Sequence, residues 1–190
     1  MTKVDLPEKK VTLEECSKND NGEPVTHLKN KVYCFDTVSE MEAMLYRRKK
    51  KLSSADAIYI DEQEKIYFFE FKNVPHNHVS HKGILEKMHD SILTWQVCQN
   101  SEKSLDELME KSTYFVIYND SHYEGQRENE SNSLESLKKQ MKKLAKIETE
   151  EELLWETEIY QNTFYREIHT IDVDVFERKY RVEDATYYKE

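Results

Sequence analysis

The chain has 190 residues, with 28 Lys and Arg against 38 Asp and Glu, a formal net charge of −10 and a pI near 5.3. That balance excludes a protein that coats nucleic acid through bulk electrostatics, while leaving room for an enzyme with local basic patches and an acidic site. A hydrophobic content of 37% with 12 Tyr and 7 Phe provides for one packed domain over residues 1–190, and only three Gly and three Pro favour helices alternating with strands over a turn-rich β-sandwich.

Residues 1–30 are polar, and the NDNG turn at 19–22 separates two short apolar runs, Val11 to Leu13 and Val25 to Leu28, which read as a hairpin. KVYCF, Lys31 to Phe35, reads as a strand, and Thr37 or Ser39 then caps a helix running to about Lys50. SADAIYI (Ser54 to Ile60) and KIYFFEFKNV (Lys65 to Val74) flank the charged turn DEQEK, as in an antiparallel hairpin. From Ser80 to Gln99 the helical period puts Ile84, Leu85, Met88, Ile92 and Trp95 on one face. A short helix near Leu105 to Met109 precedes an apolar strand, Thr113 to Asn119, and the polar stretch 120–133 is the best internal boundary. Helices are expected over Leu134 to Lys146 and Thr149 to Tyr160, and a strand in the alternating segment from Phe164 to Val182. The fold class is α/β, a central mixed sheet flanked by helices, with a core over about 31–119 and a C-terminal extension over about 133–190.

Alternation along KIYFFEFKN places Ile66, Phe68, Glu70 and Lys72 on one strand face and Tyr67, Phe69, Phe71 and Asn73 on the other. A carboxylate and an ammonium at the end of an otherwise apolar strand are costly unless paired or bound to something. The preceding strand offers Asp56 between Ala55 and Ala57, small neighbours that leave room beside it. Two such carboxylates suit Mg²⁺ or Mn²⁺, which prefer oxygen and keep several waters. The Phe71 carbonyl is a candidate third ligand, and Lys72 is placed to activate a water or to offset charge on a phosphate.

Asp56, followed 14 residues on by Glu70-Phe71-Lys72, resembles the PD-(D/E)xK nuclease superfamily of restriction endonucleases and Holliday-junction resolvases, with Ala55 where the motif's optional Pro would stand. The resemblance spans roughly 31 to 119 and implies an αβββαβ core, metal ligation by Asp56 and Glu70, and a catalytic role for Lys72. EFKN with the later KMHDS is also similar to uncharacterised bacterial proteins of this class. Many members add an acidic residue from the first helix. Taking Val38, Met41, Met44 and Leu45 as that helix's buried face puts Glu42 at its edge and Glu40 in solvent, so Glu42 is the auxiliary candidate.

Arg47, Arg48 and Lys49, within RRKKK, form a local basic cluster able to track a nucleic-acid backbone or to neutralise a helix C-terminus. Lys87 and Ser91, on a ridge with Thr94 and Cys98, are candidate phosphate contacts or a solvated flank, and Lys138, Lys139, Lys142 and Lys143 read as a solvated helix face. His76, His78 and His81 match no zinc spacing and are joined by no cysteine, so a mobile loop near the site is the reading. The three cysteines, Cys16, Cys34 and Cys98, lack metal spacing, and neither a leader nor a membrane span is expected, so a reduced, cytoplasmic protein follows. The expected activity is Mg²⁺- or Mn²⁺-dependent phosphodiester hydrolysis. DNA is the expected partner, with RNA open, and a homodimer is one expectation since small nucleases of this type often pair. The alternative is a non-catalytic, nuclease-like interaction protein, an immunity or defence component. An unrelated acidic binding domain would follow if the strands of Asp56 and Glu70 were not neighbours.

Overall fold

In the computed structural model, residues 6–99, 104–121 and 153–180 are described. The expected helix over Leu134 to Lys146, with its four lysines, lies outside them. Among the described residues, six strands form one mixed sheet in sequence order: β1 (Val11–Thr12), β2 (Lys31–Cys34), β3 (Ala57–Ile60), β4 (Ile66–Lys72), β5 (Ser112–Tyr118) and β6 (Glu167–Asp172). β1 to β4 are antiparallel neighbours, whereas β4, β5 and β6 run parallel. Parallel neighbours need a crossover, and between β4 and β5 it is made by α3 (His81–Cys98) and α4 (Leu105–Lys111). The remaining helices among the described residues are α1 (Leu13–Cys16), α2 (Phe35–Leu45) and α5 (Val173–Tyr180). Among the described residues, no helix is long and apolar enough to cross a membrane.

The period-2 pattern of β4 divides the molecule into two cores. Ile66 and Phe68 join Phe35 and Val38 of α2, Ile84, Met88, Ile92 and Trp95 of α3, and Leu108 of α4 on one face. Phe69 and Phe71 meet Leu13 of α1 and Val173 and Phe176 at α5 on the other. The result is helices on both faces of a sheet, as parallel strands require. Because β3 and β4 are paired (Ala57↔Phe69 through Ile60↔Ile66), the reading as an unrelated acidic domain is set aside. Their turn is closed by Asp61, whose Oδ1 accepts from the Gln63 and Lys65 amides at 2.8 Å each, with Glu64 left-handed at φ 61°.

Several expectations are corrected. Only two strands, β3 and β4, lie between α2 and α3, not the three of an αβββαβ order; β2, ahead of α2, fills the place beside β3. The NDNG turn does close, with Asn19 Oδ1 accepting from the Asn21 and Glu23 amides. However, the partner of Val11–Thr12 is β2, and Val25 and Leu28 are buried without forming a strand. Residues 153–156 are not helical: Trp155 and Glu156 are left-handed, and a short 3-10 helix follows over Thr157–Tyr160. Past Asp172 the alternating IDVDVF becomes α5, because Val173 and Phe176 share a helical face over the second core. β6 pairs with β5, so this part of the C-terminal extension completes the sheet.

α2 starts earlier and ends sooner than its sequence suggests. Phe35 is fully buried and packs edge-on against Phe68 with centroids 5.4 Å apart, so the buried stripe runs Phe35, Val38, Ser39, Glu42 and Ala43. Met41, Met44 and Leu45, expected inside, are exposed. The helix stops in a Schellman-type turn: Arg47 is left-handed at φ 53°, its amide bonds the Met44 carbonyl, and the Arg48 amide bonds that of Ala43.

Candidate functional site

Asp56 is fixed in both its backbone and its side chain. Its amide donates to the Phe69 carbonyl at 2.9 Å and its carbonyl accepts from the Phe35 amide at 3.0 Å, continuing the ladder to both neighbouring strands. Its Oδ2 accepts from the Phe71 amide at 2.7 Å, which leaves Oδ1 to face the end of β4. Since a residue's amide and carbonyl project to the same side of a strand, the Phe71 carbonyl also faces the Asp56 side of β4.

Glu70, one residue before, is completely buried. Lys72 Nζ lies 2.6 Å from its Oε1. The second cation comes from α3: Lys87 Nζ is 2.8 Å from the Glu70 carboxylate and 3.1 Å from Asp56 Oδ1. Since the two carboxylates meet the same nitrogen, their nearest oxygens are no farther apart than the sum of those distances, about 5.9 Å. Two carboxylates and two ammonium groups thus converge at the C-terminal end of β4.

Burial, followed by the charge of Asp56, pushes the Glu70 carboxyl up to about 7, with Lys87 and Lys72 working against the rise. Burial alone would discharge Lys87, but the Glu70 and Asp56 carboxylates outweigh it, so its ammonium is held more firmly than usual. The pH consequence has a definite sign. A chain that releases the Glu70 proton near 4.5 when unfolded and near 7 when folded binds more protons in the folded state between those values, so stability falls as pH rises through that window. In chelator, wild type is expected to lose on the order of 3 kcal/mol relative to Glu70→Gln between about pH 5 and pH 8, read from urea midpoints. Parallel profiles for the two proteins would show that Glu70 does not titrate in this way.

The KMHDS segment of α3 grips the strand entry from behind. Besides Lys87, Asp90 accepts from the Ser53 amide at 3.0 Å. Ser91 Oγ accepts from the Ala55 amide at 2.8 Å and donates to the Lys87 carbonyl at 2.5 Å. Ser91, Thr94 and Cys98 are fully buried. Ser91 is therefore no phosphate contact, and the ridge is not a solvated flank: the hydroxyl positions the segment that presents Asp56. Ser91→Ala leaves the buried Ala55 amide unpaired and should cost about 1–3 kcal/mol in urea denaturation; an unchanged midpoint would remove this role.

No protein-family profile, curated protein or solved structure matches the chain.

The other expected site residues lie elsewhere. Glu42 is central in the buried stripe of α2, not at its edge, with Arg48 Nη2 at 2.9 Å as its charge partner. Burial raises its pKa and Arg48 opposes the rise. Among the described residues no three His, Cys, Asp or Glu side chains form a metal-holding group, so Glu42 does not complete a set with Asp56 and Glu70. Within RRKKK, Arg47 forms the helix-ending turn, Arg48 is committed to Glu42, and Lys51 pairs with Asp36 at 2.8 Å; Arg47 and Lys49 are exposed. His76 and His78 form a 3-10 turn, with His76 Nδ1 2.8 Å from Asp120, and His81 begins α3. Tyr114 is the residue missed: fully buried on β5, stacked on Phe68, its phenol held protonated by burial and then by the nearby Glu70 charge. The signal was present in the alternation of TYFVIY, which puts Tyr114 on the face of Phe68 and Glu70 once β4 and β5 are neighbours.

Proposed function

We propose that the chain is a Mg²⁺- or Mn²⁺-dependent nuclease that hydrolyses DNA phosphodiester bonds through a PD-(D/E)xK-type site on a restriction-endonuclease-like core, with β2 in place of that core's first strand. The observation that supports it is the convergence of Asp56 and Glu70 on a single cation, the Lys87 ammonium, beside Lys72. The donor set, carboxylate and carbonyl oxygens with no imidazole or thiolate among them, fits a hard ion that keeps several of its waters and takes only a few protein oxygens. Asp56 and Glu70 would hold the ion, with the Phe71 carbonyl as a third oxygen. Bound there, a divalent ion supplies charge stabilisation at a scissile phosphate and a more acidic water.

The protein's own contributions are positional. The Phe71 amide orients Asp56 by fixing Oδ2, and α3 holds the strand entry through Ser91 and Asp90. Lys72, with 29% of its side chain exposed, is the ammonium placed to receive charge at the phosphate or to orient the attacking water. The test combines Mn²⁺ titration by calorimetry with a cleavage assay on plasmid DNA. Stoichiometric binding that Asp56→Asn abolishes, together with nicking, is expected.

A second reading draws on a specific observation. With two ammonium groups against two carboxylates the cluster is already neutralised, and the chain carries a net charge of −10. A non-catalytic, nuclease-like interaction protein of a defence or immunity system would keep this arrangement as a structural ion cluster. It predicts no Mn²⁺ binding at millimolar concentration and no nicking.

A further inference from the structure

The second core brings two cysteines together. α1 rises from β1, with the Leu13 and Glu14 amides bonded to the Asn30 and Leu28 carbonyls at 3.0 Å each, and it lies over the face of β2 that carries Val32 and, two residues on, Cys34. Cys16, the last residue of α1, packs against this cluster. Both cysteines are reduced and partly exposed, and the Cys16 thiol donates to the Cys34 sulfur. Cys34 is also the residue at which β2 turns into α2, with the Thr37 amide and hydroxyl beside its sulfur.

We propose that Cys16 and Cys34 are a redox pair, oxidised by a hydroperoxide to a disulfide that ties α1 to the β2–α2 junction. The two sulfurs have unequal roles. Cys34 stands at the N-terminus of α2 with the Thr37 amide and hydroxyl beside its sulfur, so donation from Cys16, followed by the Thr37 groups, holds its thiol below the usual range, whereas its donor role and burial raise that of Cys16. Cys34 is the attacking thiolate. It takes one peroxide oxygen as the O–O bond breaks; the leaving oxygen gains a proton and departs as water or alcohol, and Cys34 becomes a sulfenic acid. The Cys16 sulfur, giving up its proton, then attacks the Cys34 sulfur, the S–O bond breaks, a second water leaves and the S–S bond forms. Two thiols lose two electrons and the peroxide gains them. Cys98 is a control within the same chain: it is buried in the other core and its thiol is pushed up to about 12 by burial and then by Glu42. The pair is independent of the nuclease reading, although Cys34 adjoins Phe35, whose amide holds the Asp56 carbonyl.

The experiment exposes the whole protein to a few equivalents of hydrogen peroxide, quenches the peroxide, blocks remaining thiols with iodoacetamide in urea and maps peptides without reduction. A Cys16–Cys34 linked peptide, loss of two hydrogens from the intact mass and alkylation confined to Cys98 are expected. The melting temperature should rise by roughly 6 to 12 °C and return with dithiothreitol, from the loop-closure effect on a domain of this size. In Cys16→Ser, dimedone should trap the sulfenic acid at Cys34; in Cys34→Ser no link forms. Oxidation of Cys98 ahead of Cys34, or oxygen adducts on wild-type Cys34 without a link, would overturn the proposal, and the wild-type map decides it even if a variant does not fold.

Discussion

Asp56→Asn is expected to reduce Mn²⁺-dependent cleavage of DNA by about 10³-fold while leaving the fold intact. Asn keeps an oxygen that can accept the Phe71 amide, now bonded to Asp56 Oδ2 at 2.7 Å, and the backbone bonds to Phe69 and Phe35 are untouched. What it removes is the charge facing Lys87, and with it half of the carboxylate pair. Lys72→Met should reduce cleavage to a similar extent but leave Mn²⁺ binding measurable, since Lys72 touches Glu70 and supplies no ligand oxygen. Circular dichroism and urea midpoints separate lost chemistry from lost structure. Cleavage that persists at wild-type rate in both variants would falsify the nuclease assignment.

Lys87→Met is expected to change stability and metal affinity in opposite directions. In the wild-type protein without metal, Lys87 neutralises a fully buried Glu70 and part of Asp56. Removing one partner of a buried ion pair costs up to roughly 3–5 kcal/mol, and the full cost is expected above pH 7, where Glu70 is ionised and Lys72 is the one ammonium left beside it. For a chain of this size that corresponds to a melting temperature lower by about 6 to 20 °C. The same change vacates the place where a cation meets both carboxylates, so Mn²⁺ should bind at least about tenfold more tightly and recover much of the lost stability. Calorimetry and thermal melts with and without Mn²⁺ test this. If Lys87→Met melts lower and metal restores nothing, the cluster is a structural ion network and the non-catalytic reading is the correct one.

The central strands and the partnership of Asp56 with Glu70 and Lys72 were legible because they depend on local rules. β4 alternates with period 2 and is apolar on both faces, DEQEK turns the chain between β3 and β4, and two charged residues ending such a strand stand out against it. α3 was legible because its apolar positions recur over five turns. α2 was not, because its anchor, Phe35, also reads as the last residue of a strand. Shifting the helix cap by three to five residues leaves Phe35 out of the assigned face, which turned Met41, Met44 and Leu45 inward and moved Glu42 to the edge.

The amino-acid order by itself determined the sheet's central hairpin, its burial pattern and the two carboxylates and ammonium at its end, since each follows from spacing along one strand or across one tight turn. Only the tertiary structure decided which distant groups answer those charges. Lys87 is 17 residues from Glu70 and 31 from Asp56, yet it bridges both; Cys16 of α1 meets Cys34 at the end of β2. Such pairings are set by how helices pack against the two faces of the sheet, and packing sums contacts from separated segments that no local period encodes.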